Sequence, residues 1–314
     1  TVRIRAKVDE PGKYTIPSRL LTEFIGLLGN EKVELETTEQ GLRVVSGHSE
    51  TTIKGAAAED FPVLPSHQPT TSITLPASAL RQALEGVIFA SASDESRPEI
   101  SGILFRTDAQ HLIVAATDSY RLAERRVATL STEGPEQHSI IPSRTAQEIL
   151  RLTPEDDTVI TLRLGDNQAQ CLLPDTEVLS RVIEGQYPDY HQIIPTAWST
   201  KASCDSQELL ANVRATSLFC KPGINDLALT LSPEKKQILL SAANTQLGQH
   251  QGSLPATIEW PTLEMVFNYR YLLEGVQSLG GDDTILEFQD QNSPGLLRNP
   301  KRPDALYLLM PIRQ

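Results

Sequence analysis

Residues 103–123 read ILFRTDAQHLIVAATDSYRLA, with Ile100, Ser101 and Gly102 just ahead. Ile103 and Phe105 share one face of a first alternating run, and Leu112, Val114 and Ala116 share one face of a second. Asp108-Ala109-Gln110-His111 lies between the two runs. A period of two on either side of a short polar break predicts two antiparallel strands joined by a turn. The second strand runs out into Thr117-Asp118-Ser119-Tyr120-Arg121-Leu122, which gathers hydroxyls, a carboxylate, an aromatic ring, a guanidinium and an apolar tip. Two readings of this exit stay open: an Asx or Ser turn leading to another strand, or a surface that receives a partner.

Outward from this hairpin the chain alternates helices with groups of strands. Residues 14–30, YTIPSRLLTEFIGLLGN, place Leu20, Leu21, Phe24, Ile25 and Leu28 on one helical stripe, with Ser18 positioned to cap the start and Gly29-Asn30 to end it. A second helix starts near Ser78 with Leu80, Ala83, Leu84, Val87 and Ile88 inward; IIPSRTAQEILRL forms a third, and 206–219 and 268–279 form two more. Strands are predicted at 32–46 (a hairpin), 50–54, 158–164, 169–173, 178–183, 227–231, 238–243, 258–267, 284–288 and 305–312.

These groups repeat. IPSRLLTE at Ile16 and IPSRTAQE at Ile141 share Pro, Ser, Arg and Glu at equal offsets, and FNYRYLLE at Phe267 keeps the Arg and Glu. Arg19, Arg144 and Arg270 are roughly 125 residues apart, as are the connectors at Phe61-Pro62 and Tyr187-Pro188. The period predicts α+β domains of two helix-plus-three-strand halves, with boundaries near 61–69 and 187–198 and no sheet continuing across either connector. By this count the 314 residues make about two and a half periods, the incomplete one in front. The chain opens without Met on a strand-like alternation, so a segment in front is expected to be missing.

Composition narrows the function. The chain is 39% hydrophobic and 22% charged, as soluble globular proteins are. A formal charge of −12 means that any nucleic-acid partner must meet basic residues gathered on one face. Cys171, Cys204 and Cys220 form no CxxC pair, so neither a disulfide framework nor a zinc site is predicted, and a reducing cytoplasm fits best. No stretch has the length and apolarity of a membrane span. The six His are scattered, and no GxSxG, Walker or GxGxxG motif occurs. Asp94-Glu95 reads as a solvated pair in a Ser-rich loop. No metal, cofactor or catalytic residue is expected, which argues against a nucleic-acid enzyme built on repeated domains.

The helices carry a second regularity. Arg19 with Glu23, Arg81 with Glu85, Arg144 with Glu148 and Arg270 with Glu274 stand at i,i+4. They read either as solvated surface pairs or as similar helices presenting Arg toward one long anionic partner, duplex nucleic acid. Arg97, Arg151 and Arg214 add to that basic set. Aromatic residues, at 5%, are too few for base-stacking platforms.

With these residues laid out, the chain resembles the beta-subunit family of bacterial DNA polymerase III, the sliding clamps. FASASDESRPEISGILF (89–105), AATDSYRLA (115–123), EGQYPDY (184–190), FNYRYLLE and the terminal YLLMPIRQ carry the resemblance over essentially the whole length. It implies three similar domains per chain, two chains closed head to tail, and helices lining a hole around duplex DNA. On that basis 1–65 would be the second half of clamp domain one, its first half being absent; 66–195 would be domain two and 196–314 domain three. The function implied is that of a processivity factor with no catalysis of its own. It would bind DNA without regard to sequence and tether the replicative polymerase, the clamp loader and other proteins bearing a clamp-binding motif. A peptide-binding relative that no longer closes around DNA is the alternative, for which the missing half-domain argues.

Carried over by motif, a peptide pocket between domains two and three would comprise Ile100, Thr117, Ser119, Tyr120, Arg121, Leu122, Pro188, Ile193, Asn268, Tyr271, Leu308, Met310, Pro311, Ile312 and Arg313. Leu122, Ile100, Ile193, Leu308 and Met310 would form its floor, Arg121 and Arg313 would meet carboxylates at its edge, and Asn268 would meet the peptide backbone. Arg19, Arg81, Arg97, Arg144, Arg151, Arg214 and Arg270 would face DNA. The dimer contact would set 50–54, with Ile53 inward, against the Leu218 region. Gln192 stands where many relatives are basic, Gln314 replaces an apolar last residue, and NTQLGQ (244–249) replaces an often acidic run.

Overall fold

The structure, a computed structural model, describes residues 1–61, 69–94 and 96–313. Most of the first connector, the Glu95 half of the expected carboxylate pair and Gln314 lie outside the described residues. Contacts divide the chain into two units, Arg3–Ser66 and Thr1–Val2 with His67–Gln314.

In the smaller unit, α1 (Ser18–Leu27) precedes an antiparallel sheet of β1 (Glu34–Thr38), β2 (Gly41–Ser46) and β3 (Ser49–Ile53) in the order β1-β2-β3. Ser18 does not cap this helix. Pro17 occupies the N-cap position with extended backbone, and no side chain bonds the first turn. The apolar stripe is present but only partly covered: no residue of α1 is buried, Leu21, Phe24 and Leu28 are half-buried, and Leu20 and Ile25 are exposed. Among the described residues of this unit, the buried apolar ones are Val44 and Ile53.

The larger unit is built from four copies of one plan, a strand leading into a helix and then three strands. The first copy is β4 (Thr71–Pro76), α2 (Ala77–Glu85), the short α3 (Pro98–Ser101), β5 (Gly102–Thr107), β6 (His111–Thr117) and β7 (Arg121–Ala128), with β8 (Ser131–Glu133) appended. The second is β9 (His138–Pro142), α4 (Ser143–Leu152), β10 (Val159–Leu164), β11 (Gln168–Leu172) and β12 (Glu177–Arg181). The third is β13 (Thr200–Asp205), α5 (Ser206–Ser217), β14 (Asp226–Ser232), β15 (Gln237–Asn244) and β16 (Gly248–Pro255), with β17 (Thr257–Glu259) appended. The fourth is β18 (Leu263–Asn268), α6 (Tyr269–Leu279), β19 (Asp283–Phe288), β20 (Gly295–Asn299) and β21 (Arg302–Leu309).

Leading strands are exchanged between copies. β4 pairs with β10, β9 with β5, β13 with β19 and β18 with β14, all antiparallel. Each helix follows its leading strand without a loop, since a Pro (Pro76, Pro142) or a polar cap (Asp205, Asn268) stops the ladder and starts the turn. The helices then pack in pairs, α2 on α4 and α5 on α6. Gly275 lets α6 lie close on β21, where a Cβ would come within 2.2 Å of Cε1 of Tyr307.

One expectation is overturned here. β21 pairs with β7 from Leu309↔Arg121 to Ala305↔Arg125, which completes a nine-stranded sheet, β17-β13-β19-β20-β21-β7-β6-β5-β9. The sheet therefore continues across the second connector. A break in sequence period does not prevent the two free edges from satisfying each other's N–H and C=O groups. β6 is accordingly buried along both faces. Leu112, Val114 and Ala116 belong to the main core beneath the helices, and Ala115 to a second core on the opposite face.

Candidate functional site

That second core lies under the connector. Leu104, Ala115, Leu122, Ile140, Leu296 and Leu308 rise from the sheet and Tyr187 and Tyr190 cover them, with Ile194, Trp198 and Met310 packed at the side. Pro188 is half-buried, and its carbonyl accepts from the Tyr190 amide at 2.9 Å. Tyr190 in turn donates its hydroxyl to Glu124. The short helical turn Tyr190–Ile193 leaves Ile193 47% exposed.

The exit of β6 is an Asx turn, and it also presents a surface. The Asp118 carboxylate accepts from the amides of Tyr120 and Arg121 at 2.9 and 3.0 Å. The Thr117 hydroxyl donates to the Arg121 carbonyl at 2.6 Å and accepts from the Ser119 amide at 3.1 Å. Ser119 is thereby held at φ 75°, a left-handed conformation that Ser adopts only under such constraint. Tyr120 is left 63% exposed, and its carbonyl accepts from the Met310 amide at 2.9 Å, which fixes the C-terminal segment beside the turn.

Arg121 is not an open cation at the edge. It is buried, donating to Asp118 at 3.0 Å, to the Phe89 carbonyl at 2.7 Å and to Glu274. Its guanidinium lies 5.2 Å from the Phe89 ring centroid and 4.4 Å from that of Tyr271. Burial works against its charge, but the surrounding acidic groups outweigh that and raise its pKa. Its place is that of an internal tie, because the guanidinium expected to meet a peptide carboxylate already donates to carboxylates within the chain.

The other expected pocket residues sort by exposure. Ile100, Leu122 and Leu308 are fully buried and support the floor from below. Tyr271, Met310, Pro311 and Ile312 are half-buried and Arg313 is exposed. The Ile312 amide donates to the Val266 carbonyl at 2.7 Å, which ties the tail to β18. Asn268 caps α6, its side-chain oxygen accepting from the Arg270 amide at 3.0 Å. Arg97, expected to face phosphate, instead donates to the Ser119 hydroxyl at 2.9 Å and pairs with Glu99 at 3.2 Å, so it belongs with the Thr117–Arg121 turn.

The helix arginines divide as sharply. Arg81 donates to the carbonyls of Leu150 and Thr153 at 3.1 and 3.2 Å and pairs with Glu85, which makes it a clamp between α2 and the end of α4. Arg19 pairs with Glu23 at 2.7 Å. The expected pairs of Arg144 with Glu148 and Arg270 with Glu274 do not form, since Glu148 meets Arg151 at 2.8 Å and Glu274 meets Arg121. Arg144, Arg214 and Arg270 are exposed and, among the described residues, meet no carboxylate. At the expected dimer contact Leu218 is 71% exposed, whereas Ile53 is 3% exposed and packs within its own unit, so it presents no side chain to a partner.

Burial pushes the thiols of Cys171 and Cys204 up to about 12 and that of Cys220 up to about 11, so all three stay protonated at neutral pH. Among the described residues no group of three His, Cys, Asp or Glu is placed to hold a metal, and no helix is long and apolar enough to cross a membrane.

A repeated α+β architecture with bare helix arginines, and an apolar surface beside a braced turn, defines a binding scaffold. The family descriptions "DNA polymerase III beta subunit" match it in three parts: N-terminal domain over 1–65, central domain over 74–189 and C-terminal domain over 191–313. The beta sliding clamp of Synechococcus elongatus is 31% identical, over 98% of this chain and 83% of its own length; that of Staphylococcus aureus is 28% identical, over 98% and 81%. Among solved structures, the sliding clamp of Bacillus subtilis superposes with TM-score 0.93 at 25% identity, over 98% of this chain and 82% of that one. A Pseudomonas aeruginosa sliding clamp gives 0.92 at 25% identity, over 97% and 83%. The chain belongs to the bacterial DNA polymerase III beta-subunit family, the beta sliding clamps, which are non-catalytic processivity factors of DNA replication. The expectation that half of domain one is absent is not borne out, because the family's N-terminal domain is matched over 1–65.

Proposed function

We propose that this chain closes head to tail with a second copy around duplex DNA, and that it tethers the replicative polymerase and other partners by short extended peptides. The peptides would lie on the surface formed by Tyr120, Ile193, Tyr271, Met310, Pro311 and Ile312, with Arg313 and the free amide of Asn268 at its margin. The observation that carries the reading is the bond from the Met310 amide to the Tyr120 carbonyl, which sets the apolar tail beside the exposed turn. Two apolar anchors at about 1.5–3 kcal/mol each, less the cost of ordering a flexible peptide, leave a Kd on the order of micromolar. That suits an exchangeable tether. Exposed Arg144, Arg214 and Arg270 would meet phosphates without reading bases. Leu218, with the open edge of β3, supports the contact between copies. Domain boundaries near 65 and 195 and residence in the cytoplasm belong to the same reading. Retention on circular but not linear duplex, measured with and without a Leu- and Phe-containing polymerase-tail peptide, tests ring and tether together; equal loss from both DNAs would reject the ring.

A further inference from the structure

The pairing of β7 with β21 ends at Arg125↔Ala305. Beyond it Pro303 has no N–H to give, so the ladder stops and the two strands part. They open a cleft of about 600 Å³, lined at its base by Ala79 and Gln82 of α2 and above by Arg125, Arg126, Arg302, His111 and Asp304. Arg125, Arg126 and Arg302 thus border one volume together with a single carboxylate residue. Arg302 reaches that carboxylate, Asp304, at 3.3 Å, and Arg126 reaches Asp108, outside the lining, also at 3.3 Å and lies 3.0 Å from Nδ1 of His111; both carboxylate contacts are long for charge-assisted bonds.

Arg125 is 1% exposed and has no carboxylate partner among the described residues. Its Nη atoms donate to the carbonyls of Glu124 and Ser278, and its Nε, packed against Gly86, has no acceptor. A buried guanidinium without counter-charge is costly unless a bound anion supplies one. Burial and the neighbouring Arg302 lower its pKa to about 10, so it remains charged at neutral pH.

We propose that this cleft is a phosphate-binding site, in which a phosphate group takes charge-assisted hydrogen bonds from Arg126 and Arg302 and neutralises the field of Arg125. A phosphate suits the lining because its several acceptor oxygens can meet the Arg126 and Arg302 guanidiniums at once, with Arg125 adding charge and no donor. The group could come from a duplex backbone or from a free phosphate compound.

The test is calorimetric titration of the full chain with inorganic pyrophosphate at low ionic strength. One saturable site is expected. Arg126→Gln and Arg302→Gln should each weaken it by about tenfold, and Asp304→Asn should tighten it severalfold. Arg125 is left intact because it braces α2 and α6. Absence of saturable binding, or unchanged affinity in the folded Arg126→Gln/Arg302→Gln double variant, overturns the site. Where pyrophosphate binding is lost in that variant, duplex affinity measured against salt assigns the source. A slope lower by about one to two points to backbone phosphate, and an unchanged slope to a free phosphate compound. Because pyrophosphate is titrated without DNA or partner peptide, the result does not depend on ring closure.

Discussion

Leu122 and Leu308 stand opposite each other across the β7–β21 pairing, both with 1% of their surface exposed. One follows the Asx turn and the other precedes the C-terminal tail. Their apolar contact therefore adds to the β7–β21 ladder in holding together the two segments that frame the candidate peptide surface, beneath that surface and not on it.

Leu122→Ala should act first on stability. Removing a fully buried Leu from a core closed by Tyr187 and Tyr190 costs about 2–5 kcal/mol, depending on how far the tyrosines collapse inward. Urea denaturation should show a lower midpoint at an unchanged slope. A midpoint like that of the parent would mean that the second core contributes little.

Arg121→Gln should also destabilise the chain, since it leaves Asp118 and the nearby Glu274 without their shared cation. Loss of one partner of a buried pair costs about 3–5 kcal/mol, and Arg121 is the more buried side of these pairs. Adding Glu274→Gln should recover part of that loss. A double-mutant cycle with no coupling would remove Arg121 from its role as a tie.

Much of the fold was legible in sequence. The α1 and α2 stripes and the 103–123 hairpin depend on local periodicity, and all five expected helices form. The leading strands β4 and β13 escaped because their Ser- and Thr-rich runs bury one face only by insertion into another copy's sheet. Arg121 was misjudged for a related reason. Nothing in TDSYRLA signals that Glu274, 153 positions away, will reach it. The turn at Asp118 was readable because both of its bonding partners lie within three residues.

Stability should fall at low pH through the turn aspartate Asp290. Asp290 is held below its ordinary value of 3.8 by the Ser293 hydroxyl and then by the Asn292 and Ser293 amides. A carboxylate lowered on folding adds stability above its unfolded value, and that stability is lost as pH falls through the folded one. Asp290→Asn should therefore lower Tm at pH 6, and the difference should vanish near pH 2. A Tm difference that is constant with pH would mean that charge is not the cause.

The arginines separate by experiment. Replacing Arg144, Arg214 and Arg270 together with Gln should reduce the salt dependence of duplex binding by up to about three in slope, at about 0.9 per phosphate contact, with little change in Tm. Arg81→Gln should instead lower stability by about 1–3 kcal/mol, because the Leu150 and Thr153 carbonyls lose their donor. The reverse pattern would put Arg81 on the DNA and the other three elsewhere.

The peptide surface is best tested away from Leu122, whose loss would confound binding with folding. Met310 is half-buried at the side of the second core and Ile193 and Tyr120 are exposed, so truncating them leaves the fully buried residues of that core in place. Met310 adapts to differently shaped side chains through its unbranched thioether. Met310→Ala with Ile193→Ala should weaken capture of a Leu- and Phe-containing tail peptide by about tenfold to a hundredfold, equivalent to about 1.4–2.8 kcal/mol, at nearly unchanged Tm. Arg97→Ala should produce a smaller loss by releasing Ser119 and, through the same turn, Tyr120. Fluorescence anisotropy with the labelled peptide measures both variants, with retention on circular DNA as the control. Undiminished peptide binding in the double variant, with folding intact, would place the partner surface elsewhere on the chain.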